Sequence, residues 1–132
     1  MLKRDEQDFA NKVMQEIDNK KISIMFQKPV DPDRDNCPDY DEVIKNPMCL
    51  DVVKQKLAAN KYNTFSAWIS DVNLIWNNAQ TYNSKYSALY LMAKDIQLWF
   101  WKRLESAPKN DSGKWLSKVQ KVLTQIQNDI EQ

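Results

Sequence analysis

The run "FSAWISDVNLIWNNAQTYN", residues 65–83, sets the architecture of this 132-residue chain. Its apolar side chains Phe65, Trp68, Ile69, Val72, Ile75, Trp76 and Ala79 recur every three or four positions. That spacing places them on one face of an α-helix, with polar residues on the other. Thr64 stands immediately before, where a hydroxyl can accept from one of the unpaired N–H groups of the first turn. A long amphipathic helix that buries two tryptophans needs other helices to cover it.

Those helices are legible on both sides. C-terminal to the run, "TYNSKYS" reads as a short polar turn. Ser87 can cap a further helix that carries Met92, Ala93, Ile96, Phe100 and Leu104. N-terminal to it, "NKYNT" separates off a shorter helix whose stripe is Leu50, Val53 and Leu57. Leu2, Phe9, Val13 and Ile17 mark a first helix from Leu2 to about Lys21, and "ISIMF" (22–26) breaks its period. Pro108 stops the fourth helix. Beyond it Trp115, Leu116, Val119, Leu123, Ile126 and Ile130 predict one more amphipathic helix. No stretch alternates with period two over a useful length, so no sheet is predicted. The expectation is an all-α bundle over residues 1–107, followed by a turn and an additional helix over 108–132.

Between the first two helices lies "KPVDPDRDNCPDYDEVIKNPMCL" (28–50), with four of the five prolines, many carboxylates and no glycine. Proline fixes φ and lowers the entropy lost on ordering, so such a loop is pre-stiffened. Phe26, Val30, Tyr40, Val43, Ile44 and Met48 supply anchors that favour burial over disorder. An anchored loop at a bundle end can wall a pocket, or simply cover the core. Asp31, Asp33, Asp35, Asp39 and Glu42 also fall at positions 1, 3, 5, 9 and 12 of an EF-hand calcium loop. Pro29 and Pro47 interrupt the helices that such a loop needs on either side, and Asn36 stands where it wants glycine.

Composition narrows the chemistry. The chain has no histidine, the commonest general base and metal ligand, and one glycine, too few for a phosphate-cradling loop. Cys37 and Cys49 are too few for a disulfide framework and are expected as reduced thiols. A net charge of +1 gives no global attraction to nucleic acid or to a membrane surface. No apolar run approaches the roughly 20 residues that span a bilayer. A binding module is favoured over an enzyme. The five tryptophans would suit an aromatic cage for methyl-lysine only if they converged from loops, and they fall on predicted helices.

Several motifs together resemble a bromodomain: "FQKPVD" (26–31), "PDYDEVIKNPM" (38–48), "VVKQKL" (52–57), the 65–83 run and "LYLMA" (89–93). The resemblance covers roughly residues 3–105. It implies a left-handed four-helix bundle whose first loop and last turn enclose a pocket for acetylated lysine, without catalysis or cofactor. It further implies that Asn83 bonds the acetyl carbonyl and that Tyr40 reaches the same oxygen through a water. Phe26 and Val30 would form the shelf and wall, Tyr82 an aromatic neighbour, and Leu89 the gatekeeper at the pocket mouth. Ile24, Met25 and Phe26 replace the Trp-Pro-Phe shelf of one subfamily, and Asp35 and Cys37 replace its loop leucines. Cys49 stands where many members carry an aspartate that caps the second helix. The implied partners are acetylated peptides such as histone tails, inside a larger chromatin-associated protein of the nucleus.

The physical chemistry suits such a ligand. Acetyl-lysine ends in a neutral amide on an alkyl stem, which an asparagine amide and a tyrosine hydroxyl can orient. An unmodified ammonium is refused because burying it unpaired costs several kcal/mol. So small a buried group predicts dissociation constants on the order of 10–1000 µM. The competing expectation is a helical interaction module that docks its partner through the C-terminal helix.

Overall fold

A computed structural model describes residues 1–108. The helix anticipated over 114–131 lies outside the described residues. Within them the elements are α1 (Arg4–Asp18), a 3₁₀ turn (Lys21–Phe26), α2 (Tyr40–Val43), α3 (Leu50–Ala58), α4 (Phe65–Tyr82) and α5 (Ala88–Leu104). The described residues are helical with no strands.

The stripes read from sequence are the ones that meet. Val13 and Ile17 of α1, Leu50 and Val53 of α3, Trp68, Val72 and Trp76 of α4, and Phe100 and Leu104 of α5 are essentially inaccessible to water. The aromatics interlock edge to face: Phe100 lies 5.7 Å from Trp68 and Phe26 5.3 Å from Trp76, centroid to centroid. Trp101 is also buried, while half-buried Trp99 takes the Lys20 ammonium at 4.2 Å. These tryptophans form core and helix seams rather than a cage. Arg103 near the end of α5 pairs with Glu16 of α1 at 2.7 Å and lies 4.8 Å from the Phe9 ring. With Lys20 against Trp99, these contacts make α1 and α5 antiparallel.

The helix ends follow local chemistry. Thr64 accepts from the Ala67 N–H at 3.1 Å, and Ser87 from the Tyr90 N–H at 3.3 Å. The end of α3 turns through Asn60 at φ 54°, the left-handed position that asparagine tolerates after a helix. The first helix is shorter than its pattern suggests because Lys21–Phe26 winds as a tighter 3₁₀ turn. Cys49 gives α3 no side-chain cap. The loop compensates with backbone, since the Gln27 carbonyl accepts from the Asp51 N–H at 2.9 Å.

Candidate functional site

The loop from Gln27 to Cys49 is held at its start, middle and end. At the start is the Gln27–Asp51 bond. In the middle, Cys37, Tyr40 and Ile44 form a small second core, with Tyr82 of α4 packed on it. At the end, buried Asn78 of α4 donates its amide to the Asn46 carbonyl at 2.9 Å. Of the expected anchors, Phe26, Tyr40 and Ile44 are buried and Met48 half-buried, whereas Val30 and Val43 stay exposed. The middle of the loop also contains the one-turn helix α2, which four residues cannot announce by periodicity.

The carboxylates early in the loop serve the loop itself. Asp31 Oδ1 accepts from the Asp33 and Arg34 N–H groups at 3.1 and 3.2 Å. Asp35 Oδ2 accepts from the Asp31 N–H at 3.0 Å, while Arg34 pairs with Asp35 at 3.0 Å. That guanidinium holds the exposed Asp35 carboxyl below its ordinary range. Asn36, at φ 58°, supplies the sharp turn that glycine would otherwise make. Among the described residues no three His, Cys, Asp or Glu side chains gather as a metal site.

Of the expected site residues, Cys37, Tyr40 and Tyr82 meet where α4 stops, with Asn83 next in sequence. Asn83 is the residue after α4; its backbone N–H and its side-chain amide both donate to the Ala79 carbonyl, at 3.1 and 2.9 Å. One amide N–H therefore fixes the side chain against the helix end, and the amide keeps a second N–H for a ligand. Tyr82, just before it, donates its hydroxyl to Asp39 Oδ1 at 2.6 Å. The Tyr82 ring also lies 5.0 Å from the Tyr40 ring. Two adjacent pairs, Asp39–Tyr40 and Tyr82–Asn83, are thus tied across the gap. One member of each pair makes the tie, and the other is the expected ligand contact.

The tie shifts the ionisations. Donation to the Asp39 carboxylate, with lesser help from desolvation, pushes the Tyr82 hydroxyl up to about 12. Burial raises Tyr40, whose hydroxyl has no hydrogen-bond partner among the described residues. Both groups are therefore neutral at physiological pH, and the Tyr40 hydroxyl is left to a ligand or a water. Burial, reinforced by the charges of Asp35 and Asp39, raises the Cys37 thiol as well, so it behaves as an apolar filler.

The remaining expected residues differ in burial and in what they touch. Phe26 turns mostly into the main core against Trp76 and is 7% exposed. Val30 is exposed on the loop, and Leu89 is half-buried in the first turn of α5. Asp35 lies at the surface in its own turn rather than in the small core with Cys37. Sequence reasoning assigned no role to Asn78, and it singled out Asp39 only among the carboxylates at calcium-loop spacing. Neither contact had a local signal, since their partners are 32 and 43 positions away.

A bromodomain family profile matches residues 10–95. The chain belongs to the bromodomain family. It is 35% identical over 106 residues to the SWR1 complex bromodomain subunit bdf1 of Schizosaccharomyces pombe, covering 78% of this chain and 18% of that protein. It is 32% identical over 97 residues to the histone acetyltransferase GCN5 of Yarrowia lipolytica, covering 74% of this chain and 20% of that protein. Among solved structures it resembles the second bromodomain of Candida albicans Bdf1, bound to an imidazopyridine. The TM-score is 0.74 at 30% identity, over 77% of this chain and 99% of that one. The chain spans a fifth or less of these two curated relatives. The helical architecture is thus the bromodomain bundle, and the bromodomain is a non-catalytic module that reads acetylated lysine.

Proposed function

We propose that this bromodomain binds acetylated lysine in the space between the 22–49 loop and the 82–88 turn. Asn83 donates to the acetyl carbonyl, and the Tyr40 hydroxyl orients a water on the same oxygen. The observation that carries the reading is the tie between the two halves of the site. Tyr82 bonds Asp39 and packs its ring at a tilt against Tyr40, which holds the Asn83 and Tyr40 backbones in one register. Phe26, Val30, Tyr82 and Leu89 furnish the apolar surround, while Cys37 and Asp35 set the character of the loop wall. Selection against unmodified lysine comes from desolvation of the ammonium rather than from a repelling charge.

The ligand is an acetylated segment of a histone tail, and the module works in the nucleus within a larger chromatin-associated protein. The named relatives, an SWR1 complex subunit and a histone acetyltransferase, support this setting. Between residues 28 and 45 six acidic residues outnumber three basic ones, a balance that favours lysine-rich tails and weakens with salt. The test is an NMR titration with acetylated and unmodified histone peptides on the wild type and on Asn83→Ala. Shifts confined to the acetylated peptide, with at least about tenfold weaker binding by the variant, are expected for loss of a buried amide contact. Equal shifts from both peptides, or an indifferent variant, would overturn the reading.

A further inference from the structure

The turn from α4 to α5 closes with the Ser87 N–H donating to the Ser84 carbonyl at 2.9 Å. Lys85 and Tyr86 are its two central residues, and Tyr86 has φ 74° while Lys85 stays at negative φ. That is the pattern of a type II turn, whose second central position calls for glycine. A Cβ in the left-handed region crowds the adjacent carbonyl, and a bulky side chain there is a true outlier. Tyrosine gains nothing from the fold in exchange. Its side chain is 74% exposed, and its hydroxyl has no hydrogen-bond partner among the described residues. Its described neighbour is the Lys85 ammonium, 5.4 Å from the ring centroid. Elsewhere among the described residues the left-handed positions are held by Asn36 and Asn60, which tolerate them.

A strained, exposed aromatic that adds nothing to the core has its use outside the folded chain. Tyr86 sits three residues after Asn83 and three before Leu89, so its Cα lies within about 11 Å of either. We propose that Tyr86 is a specificity-determining contact of the same site, an exposed ring beside its mouth that packs against an uncharged apolar side chain flanking the acetylated lysine. The proposal rests on the acetyl-lysine reading above. The occupant is apolar because the Lys85 ammonium already lies over the ring and opposes a second cation. A carboxylate, for its part, gains nothing from the negative face of an aromatic. The turn fixes the direction of the Tyr86 Cα–Cβ bond, and tyrosine has only two side-chain torsions to lose when a peptide covers it.

The test uses the whole chain and acetyl-lysine peptides that differ only in the residues next to the modified lysine: Leu, Ala or Arg. Calorimetric titration of the wild type is expected to favour the Leu-flanked peptide over the Ala-flanked one by about fourfold to fifteenfold, the effect of burying one or two methylenes. The Arg-flanked peptide is expected to gain no such advantage. Tyr86→Phe keeps the preference, whereas Tyr86→Gly brings the Leu-flanked peptide down to the Ala-flanked affinity. Tyr86→Gly also melts at the same temperature as the wild type or higher, because glycine relieves the turn. An unchanged Leu-to-Ala ratio in Tyr86→Gly, no such preference in the wild type, or a lower melting temperature for Tyr86→Gly would each overturn the proposal while leaving the acetyl-lysine reading intact. Absence of any acetyl-dependent binding by the wild type would overturn both.

Discussion

Tyr82 is the residue on which the geometry of the site turns. The residue is half-buried, yet its hydroxyl's bond to Asp39 joins a 23-residue loop to the end of α4 next to Asn83. Tyr82→Phe keeps the ring against Tyr40 and removes only the tie. The loop should then sample more open positions, and acetyl-lysine affinity should fall by about threefold to tenfold, the worth of one net hydrogen bond. Asp39→Ala, which removes the acceptor, should weaken binding similarly, and the double variant should be little worse than either alone, since both remove one interaction. Peptide titrations on the three variants measure this. The tie also has a pH signature. The folded Tyr82 value of about 12 lies above the ordinary 10.0, so folding favours the protonated phenol. Its stabilising contribution is complete below pH 10.0 and is lost as pH rises toward about 12. Ultraviolet titration should show a late tyrosinate step that Tyr82→Phe removes.

At the scale of elements, the local signals and the distant ones behave differently. The α4 stripe and its Thr64 cap were readable because everything they need lies within one helical turn. Thr64→Ala should therefore cost about 1 kcal/mol of stability, measurable by urea denaturation, with acetyl-lysine affinity unchanged at temperatures where the protein stays folded. The two halves of the proposed acetyl-lysine frame, Tyr40 and Asn83, stand out only as a joint pattern, because either residue alone suits a turn or an anchor. The loop resisted further reading for a definite reason. Its stiffness comes as much from Gln27–Asp51, Asn78–Asn46 and Asp39–Tyr82 as from its prolines, and each contact joins residues distant in sequence. No period or dipeptide signals such a bond. Tyr86 was hidden for the opposite reason: its residue type argues against the turn position that it occupies.

The whole molecule keeps the site in shape through the seam between α4 and α5, because Asn83 ends one helix and Leu89 begins the other. That seam is not purely apolar. Gln97 is 4% exposed, and its amide donates to Asn73 Oδ1 at 2.7 Å and Asn77 Oδ1 at 2.9 Å while accepting from Gln80 Nε2 at 2.9 Å. The amide thus uses both of its N–H groups and its oxygen, so burial costs it little. Apolar contacts across the seam are individually non-directional, whereas the three directional bonds add a geometric constraint on its register. Gln97→Leu fits the space with a side chain of similar size, yet leaves Asn73, Asn77 and Gln80 short of a partner. Asn77 is exposed and can turn to water, and Asn73 and Gln80 are half-buried, so the loss should be about 1–3 kcal/mol by denaturant unfolding. Because the register rather than the pocket is altered, acetyl-peptide affinity should also fall, by a smaller factor than in Asn83→Ala. A Gln97→Leu protein as stable as the wild type would show that apolar packing alone sets the seam, and the polar network would then be a passenger of the fold.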